Sequence, residues 1–343
     1  MKFIKSIINF EKKYYKYFFK SSFDIREMIT GKILDNRIRK NKILKKSSKE
    51  LIFRFFYNSK IAREFLLNPK LKPKYVWEPQ TTKLLLQLSK KSKNIIFAGS
   101  FFGDQAILTA KKNPNSTIHA FEPNINQINC LKINKKKNNL NNIIIKRNIL
   151  FSKSGLGFEM VYPKGYKKNF DEGCLAIKKT KSSKKSNIFS LSLDDYCFKN
   201  KIKKIDLLHM DVEGSEFKIL LGAKKKIKNN EIQNIIFELN SNYFNWDKGL
   251  NNVSIIKYLI KNKYKIYAIR DIHSSFDIND IEIELLPLNN IYIDGPNHGF
   301  NMLATKNTKI KAKFLNNKFS PKYLPYKLEK YFHTKNLINI YNK

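Results

Sequence analysis

Cysteine is scarce in this chain of 343 residues. Cys130, Cys174 and Cys197 are too few and too scattered for a disulfide framework or for a zinc site built on close pairs, and this usage fits a reducing, cytoplasmic setting. Arginine is scarce as well, seven residues against 60 Lys. Readers of nucleic-acid bases lean on the bidentate guanidinium fork, so the formal net charge of +39 does not by itself argue a nucleic-acid partner. Heavy use of Lys, Asn and Ile is what an AT-rich coding sequence imposes on any protein. Nor does any apolar run reach the roughly 18 to 20 residues that span a bilayer. The first twenty residues break their hydrophobicity with Lys every few positions, which argues against a cleaved signal peptide.

What is present is a core-forming composition, 42% apolar and 13% aromatic, which excludes disorder over most of the length. Net charge divides the chain: +15 over residues 1–75, +16 over 76–306 and +8 over 307–343. The ends are about three times as basic per residue as the middle and read as surface arms. In the first, Phe3, Ile4, Ile7, Ile8, Tyr14, Tyr15, Phe18 and Phe19 recur at helical steps with Lys between them. Such a face packs on the main domain or a second subunit, or lies on an anionic membrane surface, which would make the protein membrane-peripheral. A second helix is expected from Ser48 to Leu67, stopped by Pro69 and Pro73. Residues 1–75 therefore read as a basic helical N-terminal extension, and 307–343 as a basic tail with Pro321 and Pro325.

From Val76 strands and helices alternate. Strands are expected at Asn94–Ala98, Thr117–Glu122, Ile143–Ile145, Ile205–Met210 and Asn234–Leu239, with helices through Ala110, from Ile125 to Lys136 and from Glu213 to Leu221. Lys265–Ile269 and Phe300–Thr305 are the last expected strands. The alternation predicts an α/β fold with a parallel, doubly wound sheet covered on both faces.

Gly99 and Gly103 follow the first strand in Ala98-Gly99-Ser100-Phe101-Phe102-Gly103-Asp104, where glycine lets the backbone approach a ligand and opens a helix N-terminus. About twenty residues on, Glu122 in Phe121-Glu122-Pro123 sits where an acid accepts both ribose hydroxyls of a nucleoside. A dinucleotide fold needs G-x-G-x-x-G to cradle its pyrophosphate, but Phe101 replaces the middle glycine. S-adenosylmethionine carries no phosphate and tolerates this loop. The fourth strand ends in His209-Met210-Asp211-Val212-Glu213-Gly214-Ser215-Glu216, which brings three carboxylates to the carboxyl end of a central strand. Glu213 and Glu216 also suit a helix start, as dipole complements. Strand alternation puts His209 and Asp211 on one face and Met210 on the other. His209 is equally compatible with a satisfied core histidine, and Glu238, at the tip of the fifth strand, with strand-end solvation. His273 and His298 fall in expected loops.

These motifs resemble the FkbM-type methyltransferase family over about Trp77 to Ala304. The matches are Glu78-Pro79, the loop with Gly99 and Gly103, Glu122-Pro123, Leu193-Asp194-Asp195-Tyr196, the run Asp211 to Glu216, and Ile236-Phe237-Glu238-Leu239. The resemblance implies a Rossmann-like methyltransferase domain over 76–306 that uses S-adenosyl-L-methionine and acts on a hydroxyl of a glycan or small-molecule metabolite. It places the cofactor on Glu78, Ala98, Gly99, Ser100, Gly103, Asp104, Glu122, Pro123 and Asn148. Catalytic work falls to Asp211, His209 and Glu213, acceptor contacts to Glu216 and Glu238, and no metal is expected. Phe97 stands where the family usually has Asp and Phe101 where it usually has Asn, a loss that Asp104 and Glu78 are placed to offset. His209 replaces a common Lys. Two rival readings are an RNA methyltransferase, from the basic aromatic ends, and a catalytically degenerate binding or membrane-docking module, from Phe97, Phe101 and the N-terminus. The Asn-Pro-Pro-aromatic and Pro-Cys signatures of many RNA-modifying methyltransferases are absent.

Overall fold

The computed structural model describes residues 2–13, 31–38, 42–47, 50–57, 59–67, 75–162, 176–180, 188–272, 275–293, 299–307, 309–322 and 338–341. Cys174, His273 and His298 lie outside them, as do Tyr14, Tyr15, Phe18 and Phe19. Among the described residues nine strands form the central sheet: β1 (Asn94–Ala98), β2 (Thr117–Phe121), β3 (Ile143–Lys146), β4 (Ile205–Met210), β5 (Ile232–Asn240), β6 (Lys265–Ile269), β7 (Glu284–Pro287), β8 (Gly299–Thr305) and β9 (Lys313–Phe314). Their spatial order is β9-β7-β6-β8-β5-β4-β1-β2-β3. The inner strands read as near-continuous apolar runs because both faces are buried. Alternate residues feed two cores. Ile95, Phe97 and Leu207 pack with helices α1 (Pro79–Ser89), α2 (Asp104–Lys112) and α3 (Ile125–Lys137). Ile96, Ala98, Leu208 and Met210 pack with α4 (Leu193–Lys199), α5 (Glu216–Gly222) and α6 (Ser254–Lys261).

The expected parallel order holds from β1 to β5, so this part is Rossmann-like and doubly wound. Beyond β5 the sheet is mixed: β8 runs antiparallel to both β5 and β6, and β7 antiparallel to β6. A parallel return needs a crossover, usually a helix. Among the described residues between β6 and β8 the one helical element is a single 3-10 turn, Leu288–Asn290, and β8 returns antiparallel to β6.

The helix expected from Ser48 to Leu67 is corrected by the structure. Ile43–Ser47 and Ile52–Phe56 form an antiparallel hairpin, and only Lys60–Leu67 is helical. Leu51, Phe53, Phe55 and Tyr57 are buried in alternation, a period of two that the intervening apolar Ile52 and Phe56 conceal in the sequence. The outer edge of Ile52–Phe56 is satisfied by side chains of α3: Asn138 bonds the N–H and carbonyl of Ile52, and Asn134 those of Arg54. Phe53, Phe55 and Phe65 then close on Phe102 with ring centroids 5.3–6.3 Å apart. The described part of the extension is thus fused to the core of the sheet rather than standing off as a surface arm. In the helix Lys2–Lys13, Ile7 is buried in that same core, while Phe3 and Phe10 remain partly exposed. At the other end β9 joins the sheet edge, and Leu315 and Ile340 are buried, so the described tail wraps the domain. No described helix is long and apolar enough to cross a membrane.

Candidate active site

The chain leaves β1 toward β2 and β3 but leaves β4 toward β5, so a crevice must open at the carboxyl ends of β1 and β4. A cleft with an empty volume of about 1000 Å³, counting solvent at its mouth, lies there. The Asp211 N–H donates to the Ala98 carbonyl at 3.0 Å and carries the pairing past the strand ends. Gly99, at φ 76°, is required at this crossing: a Cβ on it would lie 1.9 Å from the Asp211 carbonyl oxygen. Gly103 has a different task. It caps α2 at φ 90°, and a Cβ would lie 2.4 Å from Leu131 of α3, so it permits helix packing and does not line the cleft.

Glu122 stands at the tip of β2, only 5% exposed but on the cleft wall. One carboxylate oxygen accepts the Phe101 N–H and the other the Asn124 N–H, both at 2.8 Å. These bonds fix the carboxylate and also hold Phe101 in its left-handed conformation, φ 47°. Ala98, Gly99, Ser100, Asp104, Pro123 and Asn148 line the same cleft. Its apolar walls are Phe121, Ile149, Leu150, Met160 and Ile177. The last four belong to a small four-stranded sheet of Ile149–Leu150, Gly157–Val161, Ala176–Lys179 and Ile188–Leu191. Phe97 is 1% exposed, its ring centroid 5.3 Å from that of His209, and the Phe101 ring is half-buried against Phe102 at 5.0 Å. Both residues line the cleft.

Asp211, Glu213 and His209 all line the cleft. Glu238 is not on the cleft wall, but oxygens of Asp211, Glu213 and Glu238 lie within 4.8 Å of one another, close enough to hold one cation between them. Crowding by the protein raises Asp211, which opens to the cleft, to about 6 and Asp104 to about 7. Glu238 is pushed well above the ordinary carboxylate range, by burial first and then by the charges of Asp211 and Glu213. His209, 4% exposed, is lowered to about 4 by burial, and its Nδ1 has no hydrogen-bond partner among the described residues. It is a neutral imidazole at physiological pH.

Besides Gly103, three expected residues do not line the cleft: Glu238, read as an acceptor contact, Glu216 and Glu78. Glu216, read as an acceptor contact, is 1% exposed and does not line the cleft; it accepts the Val212 and Gly214 N–H groups at 3.2 and 3.4 Å and so holds the loop that presents Asp211 and Glu213. Helix α5 begins at Glu216 rather than Glu213, because Glu213 and Gly214 are left-handed, φ 52° and 92°. Glu78, read as a cofactor contact, also stays off the cleft wall: it accepts the Asn301 Nδ2 at 2.7 Å, and burial raises it well above its usual range. Asp104 alone of the two expected substitutes for the missing Asp and Asn is at the cleft. Sequence reasoning missed Ile61 and Trp77, which line the cleft, and Asp271, which caps α1 from across the fold by accepting the Gln80 and Thr81 N–H groups at 3.0 and 2.6 Å.

The family model described as the methyltransferase FkbM domain matches residues 98–294, more than half of the chain. The chain belongs to the FkbM methyltransferase family. No curated protein matches it. Among solved structures it is similar to an rRNA methylase from Streptococcus thermophilus (10% identity, 66% of this chain and 93% of that one, TM-score 0.36). It is also similar to an O-methyltransferase from Bacillus cereus in complex with SAH (13%, 66% and 80%, 0.33) and to M. jannaschii TYW2 in complex with AdoMet (12%, 78% and 87%, 0.34). At these values the likenesses bear on neither acceptor nor chemistry. The cofactor of the FkbM family is S-adenosyl-L-methionine, and the residues present fit it: a crossing free of side chains at Gly99, a fixed carboxylate at Glu122 for ribose hydroxyls, and apolar walls for a base.

Proposed function

We propose that this FkbM methyltransferase methylates a hydroxyl of a glycan or related metabolite. The observation that carries the reading is Asp211, a carboxyl open to the cleft at the end of β4, beside the neutral imidazole of His209. The cofactor, when bound, supplies the electrophilic methyl group, so the protein's task is to align the acceptor and receive its proton. Held at about 6, Asp211 is ionised at neutral pH yet basic enough to take a proton from a hydroxyl as it attacks. Carboxyl oxygens of Glu213 and Glu238 lie within 4.8 Å of those of Asp211 and offer further acceptors for hydroxyls of the substrate. The same carboxylates speak against a polyphosphate acceptor such as RNA, which they would repel.

The test is transfer of labelled methyl from S-adenosylmethionine to a panel of glycosides, with the bond to oxygen identified in the product. Asp211→Asn should lower kcat by about 10²- to 10⁴-fold while binding of S-adenosylhomocysteine persists. Because the carboxylate must be deprotonated to act, wild-type kcat/KM should rise as pH passes about 6 and then level off. A flat profile from pH 5 to 8, or methyl transfer to nitrogen alone, would contradict the assignment.

A further inference from the structure

The family match begins at residue 98, but the cleft does not. Ile61 and Trp77 line it together with Phe101, Gln105, Asp211 and Glu213. Trp77 ends a short strand, Tyr75–Trp77, that pairs with Ser275–Asp277, and its carbonyl accepts the Thr82 hydroxyl at 2.8 Å. That hydroxyl in turn accepts Gln105 Nε2 at 3.3 Å, which ties the Trp77 backbone to a cleft residue on α2. Ile61 rides on Lys60–Leu67, a helix anchored through Phe65 to Phe53, Phe55 and Phe102. The Trp77 backbone and the helix that carries Ile61 are therefore tied to the rest of the domain, and both residues stand partly buried at the cleft.

An indole and carboxylates on the wall of one cleft suit a ligand that has both an apolar face and hydroxyls. The aromatic face takes the apolar C–H face of a saturated ring, and the carboxylates accept that ring's hydroxyls. A phosphate on the ring would meet Asp211 and Glu213 with its own charge. We infer that Trp77 and Ile61 are specificity-determining residues that pack an uncharged, hydroxyl-bearing sugar ring against the carboxylates of the cleft and disfavour its phosphorylated form. The inference rests on reading the cleft as the hydroxyl-methylating site, and it places acceptor choice in a segment outside the matched domain.

The test uses the full chain saturated with S-adenosylhomocysteine, titrated with methyl pyranosides of the gluco, galacto, manno and fuco series and with sugar 6-phosphates, while tryptophan emission is followed. At least one pyranoside should shift the emission in wild type but not in Trp77→Phe, and calorimetry should find its Kd raised tenfold or more by Trp77→Ala and by less than about threefold in Trp77→Phe. Ile61→Ala should change the order of preference among the pyranosides. The phosphates should bind at least about tenfold more weakly than the matching pyranosides, and S-adenosylhomocysteine affinity should stay within about twofold in every variant. Phosphates that bind as tightly, no response to any pyranoside, or loss of S-adenosylhomocysteine binding in Trp77→Ala would each overturn the inference. A pyranoside that binds as described but receives no methyl group would instead count against the proposed function alone.

Discussion

Glu122 shows how a single carboxylate can serve two ends. Its two backbone hydrogen bonds hold the Phe101 turn, and the same bonds aim the charge at the cleft. Glu122→Ala should weaken S-adenosylhomocysteine binding tenfold or more by calorimetry, the size expected for a lost charge-assisted contact. Glu216 is the contrasting residue, since its carboxyl acts on the loop and not on the ligand. Its folded pKa, raised to about 7 from an ordinary 4.5 by burial, means that the folded protein holds this proton between those values while the unfolded chain releases it. The proton therefore stabilises the fold at low pH, and that contribution falls by about 1.4 kcal/mol per unit as pH rises through the window. Glu216→Gln cannot titrate, so its Tm relative to wild type should climb from pH 5 to pH 8; a constant difference across that range would contradict the burial account. The sequence shows the spacing of Glu213 and Glu216, but not that one faces the cleft and the other the loop, which the left-handed turn at Glu213 and Gly214 decides.

Among elements, the hairpin Ile43–Ser47/Ile52–Phe56 is the one that sequence periodicity misassigns. A short run rich in Ile, Phe and Tyr suits a strand or a buried helix equally, and only a partner for its open edge settles the matter. That partner is a helix: Asn134 and Asn138, one turn apart on α3, each present an amide that imitates a neighbouring strand. Asn134 also donates to the Phe102 carbonyl at 2.8 Å, so it joins hairpin, helix and cleft loop. Asn134→Ala leaves three backbone groups without that side chain and should cost about 2–3 kcal/mol in urea denaturation, more than an exposed Asn such as Asn229 would. Strands β1, β2 and β4 were legible because each is apolar, short and followed by Gly or an acid, signals contained within a few residues.

Over the whole molecule, charge is sorted in a way that composition conceals. A chain of net charge +39 gathers Asp104, Glu122, Asp211 and Glu213 on the wall of one cleft, with Glu238 off the wall but within 4.8 Å of the last two. Those acids come from the ends of β1, β2, β4 and β5, and the topology of the sheet brings the ends together. The family, the parallel half of the sheet and the residues at its strand tips were therefore determined by sequence, since each depends on local runs in a fixed order. Tertiary structure alone decided the antiparallel return of β8, the retirement of Glu78, Glu216 and Glu238 from the cleft wall, and the arrival of Ile61 and Trp77 on it. Each of these depends on residues far apart in the chain coming into contact, and a linear pattern carries no record of which distant edge, amide or ring a side chain will meet.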